Sequence, residues 1–155
     1  MLSLFEILSA SGIVTIIRTT PLFYAIVNAV HILGLGAMIG AILTLDLRVI
    51  GLWRPQGWRE SVAVSSPIAG AGLALALLTG VLLFAVRPGH YLENGPFLIM
   101  LGLLACGLLN VALFHCLLRA QKSAWPGMAL RVSAFASVLI WCATLLAGRF
   151  IAFLS

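Results

Sequence analysis

A chain of 155 residues that is 63% hydrophobic and only 8% charged has far too few charges for a soluble domain, which carries about a quarter. Its formal charge of +5 comes from nine cations scattered at the ends of apolar runs, not gathered in a stripe, so it is not a nucleic-acid footprint. Four apolar runs and their short connections fill nearly everything after residue 20. That leaves no room in these residues for a second globular domain, and puts any site within the bundle, at its faces or on a partner.

Residues 1–20 lack a basic n-region, and Glu6 interrupts their start, so they do not read as a signal peptide. Leu2, Phe5 and Leu8 recur at near-helical spacing with Ser3, Glu6 and Ser9 between them, the pattern of an amphipathic helix lying on a membrane surface. Ser11-Gly12 is a break, and residues 13–17 form a second short piece. Thr20-Pro21 then reads as an N-cap followed by Pro at the first helical position. The chain divides into an interfacial segment, 1–20, and a four-helix transmembrane domain, 21–155.

The predicted spans are 22–45, 67–86, 97–118 and 132–153. Each is long enough to cross a hydrocarbon core of ~30 Å at ~1.5 Å per residue. The first holds Gly34, Gly36 and Gly40, with Gly36-x-x-x-Gly40 as a face for close helix contact. The second carries Gly72, Ala76 and Gly80 at four-residue spacing, the third Gly102 and Gly107, the fourth Ser133 and Ser137. These are packing faces, or room for a flat cofactor. Connection 87–96 is rich in turn residues and holds His90, Tyr91, Glu93 and Asn94; connection 121–127 is short, with Trp125-Pro126. Short connections make successive helices antiparallel neighbours. The expected fold is an all-α membrane protein: an up-down four-helix transmembrane bundle with a short interfacial N-terminal helix. Cys106, Cys116 and Cys142 lie in the spans without the spacing of a metal knuckle or redox pair, and read as apolar filler.

Charge placement predicts topology. Arg48, Arg54, Arg59, Arg119, Lys122 and Arg131 flank the first and third connections, against Arg18, Arg87 and Arg149 on the other side. By the positive-inside rule both termini and connection 87–96 face away from the cytoplasm. Trp53, Trp58 and Trp125 fall in the cytoplasmic connections, as interface anchors do.

Polar groups inside spans are costly and therefore informative. Tyr24, Asn28 and His31 stack on one face of the first span. An imidazole about 10–15 Å deep can ligate haem iron or another metal, serve proton or quinone chemistry, or hydrogen-bond a neighbouring helix. Arg149 and Arg87 lie toward the same membrane face and can pair with the propionates of a b-type haem; each can instead snorkel to lipid phosphates. His115 lies roughly 27 Å below that face, too deep to share a haem with His31, so His90 is the better second ligand. His115 reads as an interface residue or as part of a second, inner site. Asp46 is expected to pair with a cation on another helix, such as Arg119 or Arg131, since Arg48 is two residues away and faces elsewhere. Asn110, near the centre of its span, is expected to bond across helices. The chain has no phosphate loop, His-Glu-x-x-His, nucleophile elbow or carboxylate dyad, hence no self-contained catalytic motif.

The run Pro21-x-x-Tyr24 to His31-Ile-Leu-Gly34, then Leu45-Asp46-Leu-Arg48-x-x-Gly51-Leu52, resembles a family of small four-helix bacterial membrane proteins of unknown function. Asn110-x-x-x-Phe114-His115 and Ala147-Gly148-Arg149-x-Ile151-Ala152 resemble its later motifs. The chain departs from that pattern after Phe97, where Leu98-Ile99-Met100 stands in place of an expected basic residue. The resemblance implies four helices in a bacterial inner membrane and supplies no activity.

The leading expectation is an integral membrane subunit binding haem b for electron transfer. His31 is the iron ligand and His90 the second; Arg149 and Arg87 take the propionates, and Asn28 and Tyr24 share the His31 face. The alternatives are a non-catalytic accessory or assembly subunit of a larger membrane complex, or a small transporter or proton channel using His31 and Asp46. Expected partners are the lipid bilayer and other membrane subunits or further copies of the chain, and no nucleic acid.

Overall fold

The computed structural model describes residues 12–53, 57–151 and 153, with the side chain of His90 outside that set. The amphipathic pattern around Leu2, Phe5 and Leu8 lies outside the described residues. Most described residues are helical: α1 Gly12–Thr19, α2 Pro21–Ile50, α3 Trp58–Val86, α4 Pro88–Leu92, α5 Gly95–Ala120 and α6 Met128–Phe150. Helices α2, α3, α5 and α6 are long and apolar enough to cross a membrane, and they run up and down as one four-helix membrane bundle. They are longer than the predicted spans because hydropathy marks only the stretch in hydrocarbon. Backbone hydrogen bonds continue past it, so α3 starts at Trp58 and carries Pro67 inside it.

Local signals set the helix ends. Thr20 is extended ahead of Pro21, although its side chain makes no capping bond. Asn94 caps α5, its Oδ1 accepting from the Phe97 N–H at 3.1 Å. Gly51 ends α2 at φ 97, a left-handed turn that favours glycine, and its N–H returns to the Leu47 and Arg48 carbonyls. Short helix α1 buries Val14 and Ile17 and packs on α2 and α3.

The bundle consists of two hairpins. Helix α2 packs most extensively on α3, and α5 on α6; contact between α2 and α6 joins the pairs. The α2–α3 crossing is closest at Gly34 and Gly72. A Cβ on Gly72 would lie 2.6 Å from the Met38 nitrogen and 2.7 Å from the Gly34 oxygen, backbone atoms that no rotamer change can move. The α3 ladder of Gly72, Ala76 and Gly80 therefore faces α2, as the spacing predicts. The Gly36/Gly40 face does not: a Cβ there meets nothing within 4 Å. Two residues is about 200° of helix turn, so Gly34 in contact puts Gly36 on the far side. Gly107 similarly lies against the Trp141 ring, whereas Gly102 faces open space.

Apolar packing is concentrated away from α4. Leu45, Val49, Trp58, Phe114, Leu130 and Ala134 form one cluster, and Met38, Ile39 and Trp141 a second nearer the middle. Trp58 is not an interface anchor: it is 3% exposed, and its indole N–H donates to the Ala124 carbonyl at 2.9 Å. Arg59 beside it donates to the Gln121 and Ser123 carbonyls, so the start of α3 ties down the α5–α6 connection. Cys106, Cys116 and Cys142 are free and exposed; they face outward on the bundle and do not fill its interior. At the other end the rings of Phe84, Tyr91 and Phe97 pack with centroids 5.3 to 6.0 Å apart, Phe84 stacked on Phe97 and Tyr91 tilted against both, holding α4 against α3 and α5.

Candidate functional site

His31 faces α3. Its Nδ1 lies 2.9 Å from the Ala76 carbonyl oxygen and 3.0 Å from Thr79 Oγ1. A carbonyl can only accept, so Nδ1 carries the hydrogen and donates. Thr79 supports this arrangement: its hydroxyl donates to the Leu75 carbonyl at 2.6 Å, which leaves an oxygen lone pair for the Nδ1–H. The missing side chain of Gly80 makes room, since a Cβ there would stand 3.2 Å from His31 Cε1. The ring is thus held by two partners on one neighbouring helix. In the neutral imidazole Nε2 then bears the lone pair, and His31 bonds to the described residues through Nδ1 alone.

The other residues expected beside His31 are not gathered onto it. Tyr24 is exposed on its flank and hydrogen-bonds Tyr91. Asn28 and Arg87 are exposed. Arg149 is exposed too, its guanidinium 5.1 Å above the Phe153 ring. His90 belongs to α4, at the same end of the bundle. Burial raises the Tyr91 phenol above its ordinary value, and neighbouring Tyr24 adds to that, against a smaller opposing effect of Arg87.

A second polar group lies deeper, toward the end opposite α4. Asp46 is 4% exposed. The Ser137 hydroxyl bonds its carboxyl, while Oδ2 has no partner. The expected pairing with Arg119 or Arg131 is not made, and both arginines are exposed. Register explains this: α6 meets Asp46 at Ser137, six residues and about 9 Å along the helix from Arg131. Asp46 lines a cavity of ≈ 160 Å³ to which all four long helices contribute, together with Ser66, His115 and Trp141. Ser66 Oγ and Trp141 Nε1 are likewise buried without partners. His115 donates its Nδ1–H to the Val111 carbonyl of its own helix at 2.9 Å and faces this inner cavity. Asn110 bonds across to α6 as expected, donating to the Ser133 carbonyl at 3.1 Å and accepting from Ser133 Oγ at 3.0 Å.

Thr79, Ser66, Ser137 and Trp141 were not singled out as site residues from the sequence. One signal existed for two of them. Trp belongs at membrane interfaces, and Trp141 is mid-span; Ser66 immediately precedes an in-helix proline. Among the described residues no three His, Cys, Asp or Glu side chains group to hold a metal ion.

Four spanning helices with polar groups buried between them define a small integral membrane protein. The chain belongs to a family of unknown function (DUF6644), whose model matches residues 4–154. No match was found among curated proteins or solved structures.

Proposed function

We propose that the protein is a membrane subunit that ligates a b-type haem through His31 and carries single electrons. The observation that supports this is the Nδ1–H bond to the Ala76 carbonyl. A haem-ligating histidine needs its other ring nitrogen fixed by a donor bond, which sets the tautomer and leaves Nε2 for iron. Thr79 and Gly80 supply the rest of that setting. In this reading His90 is the second ligand, and Arg87 and Arg149 at the same end take the propionates, with Asn28 and Tyr24 lining the approach. His115 is excluded because it serves the inner cavity. The haem supplies one-electron chemistry; the chain's part is to orient the imidazole and to hold the site in a low dielectric. We further place the protein in a bacterial inner membrane with both termini and the α3–α5 connection periplasmic, among other subunits or copies of itself.

An absorption spectrum of detergent-purified protein from a haem-replete host tests the proposal. It should show a Soret band with sharp reduced α and β bands. His31→Ala should abolish them while the protein still inserts, and His115→Ala should leave them intact. A colourless wild-type preparation sinks the haem reading and favours an accessory subunit or a small transporter; bleaching by His115→Ala alone shows that the haem site is not the one at His31.

A further inference from the structure

We propose that the cavity around Asp46 is a binding site for a short amino alcohol in its protonated form, entered from the end of the bundle opposite α4. The inference is independent of the haem reading. It rests on three buried polar atoms without a partner, Asp46 Oδ2, Ser66 Oγ and Trp141 Nε1, all on residues that line one cavity. Asp46 and Trp141 are 4% and 1% exposed, so bulk water does not satisfy them, and burying such groups unpaired is costly.

Their chemistry specifies the occupant. Among the described residues the only ionisable side chains lining the cavity are Asp46 and His115, and no lysine or arginine joins them. An ionised Asp46 there lacks a counter-charge, and a cationic head supplies one. An ammonium has three N–H donors. It can give one to Asp46 Oδ2, one to Ser66 Oγ and one to His115 Nε2, whose partner nitrogen is already committed to Val111. Trp141 Nε1–H is a donor and asks for an acceptor, which a hydroxyl on the same small molecule provides. The remaining walls, among them Met38, Leu73 and Phe114, are apolar and suit a short methylene chain. A cavity of ≈ 160 Å³ matches the size of engineered cavities that hold a benzene ring, so only a compact ligand fits.

A second cavity is lined by Thr44, Arg48, Glu60 and Ser61, and Ser65 borders both cavities. Ser61 and Ser65 are one turn apart on α3, which puts small polar groups on the side of the Asp46 cavity that faces this end of the bundle. Pro67 lies just beyond. It lacks the N–H that would bond four residues back, inside a helix that runs on unbroken.

Calorimetric titration of the purified full-length protein in detergent with 3-aminopropan-1-ol, propylamine and propan-1-ol tests this at neutral pH. Saturable binding is expected, with 3-aminopropan-1-ol at least tenfold tighter than propylamine and no binding of propan-1-ol. Asp46→Asn keeps the shape of the side chain and should abolish binding of both amines; Trp141→Phe should erase the preference for the hydroxylated amine. Size-exclusion elution and helical circular dichroism matching wild type identify variants that remain folded. The proposal is overturned if wild type binds neither amine, if both bind equally, or if folded Asp46→Asn binds as wild type does.

Discussion

His31 and Asp46 sit on the same helix, about four turns apart, and meet opposite circumstances. His31 lies beside the closest approach of α2 and α3, at Gly34 and Gly72, where one neighbour's backbone carbonyl and hydroxyl are within bonding distance. Asp46 lies where four helices surround a cavity, and only Ser137 reaches its carboxyl. Two helices in contact satisfy a polar side chain from within the fold. Four helices around a gap leave polar atoms addressed to something that enters it. The difference comes from side-chain volume. The tight crossing is made by glycines facing each other, and the gap opens where Ala41, Ala69 and Ser66 are too small to fill the centre.

The largest effect should come from the crossing itself. Gly72→Ala places a methyl against backbone, and overpacking of this kind costs about 1–3 kcal/mol, read as earlier unfolding in a denaturing-detergent titration. Gly36→Ala, open on the far side, should leave stability unchanged or slightly raised, since alanine is the better helix former. Equal effects of the two would break the assignment of α2's contact face.

The polar pair should differ in sign. His31→Leu removes hydrogen bonds that are made, and should lower stability by about 1 kcal/mol. Asp46→Asn removes a buried acid bonded only by Ser137 and left with Oδ2 unpaired, and should raise the stability of the ligand-free protein by about the same amount or more. Destabilisation by Asp46→Asn would mean that Oδ2 too has a partner inside the fold, and the contrast would disappear.

Smaller effects sharpen the picture. Asn110→Leu and Ser133→Ala should show a coupling of roughly 0.6 kcal/mol in a double-mutant cycle, the scale of interhelical polar pairs in membranes. No coupling would separate α5 from α6 at that level.

Tyr91 supplies a pH test at the α4 end. Its folded phenol titrates above the ordinary value of 10.0, chiefly through burial. The folded state therefore holds its proton longer than the unfolded state does. The resulting stability is fully present below pH 10 and is lost as pH rises through the raised value. Phenolate absorbance should show one tyrosine ionising late, and Tyr91→Phe should remove that late step. Ionisation of Tyr91 at the ordinary value would mean that the aromatic contact holding α4 is not buried.

Much of this molecule was legible in its residues. Four uniformly apolar runs demand helices, because in hydrocarbon each backbone N–H and C=O must be satisfied within its own segment. Pro21 marked a helix start by a rule that acts over a few residues, while the caps at Asn94 and Gly51 emerged only with the structure. The α3 ladder and the Asn110 bond were legible too, since small residues at four-residue spacing and a lone mid-span amide each need a neighbouring helix. His31 stood out as a costly group, but its partners Ala76 and Thr79 did not, because an apolar backbone position carries no mark of which carbonyl a distant ring will find.

Tertiary structure alone decided which glycine of α2 faces α3, that Trp58 is buried and the cysteines are not, and that Asp46 meets Ser137 instead of an arginine. These outcomes depend on the rotation and register of one helix against another. Uniformly apolar helices have almost no amphipathic face to set that rotation, so it is fixed by close packing between partners far apart in the chain. The inner cavity follows from the same cause: it exists only in the space left when four such helices have found their register.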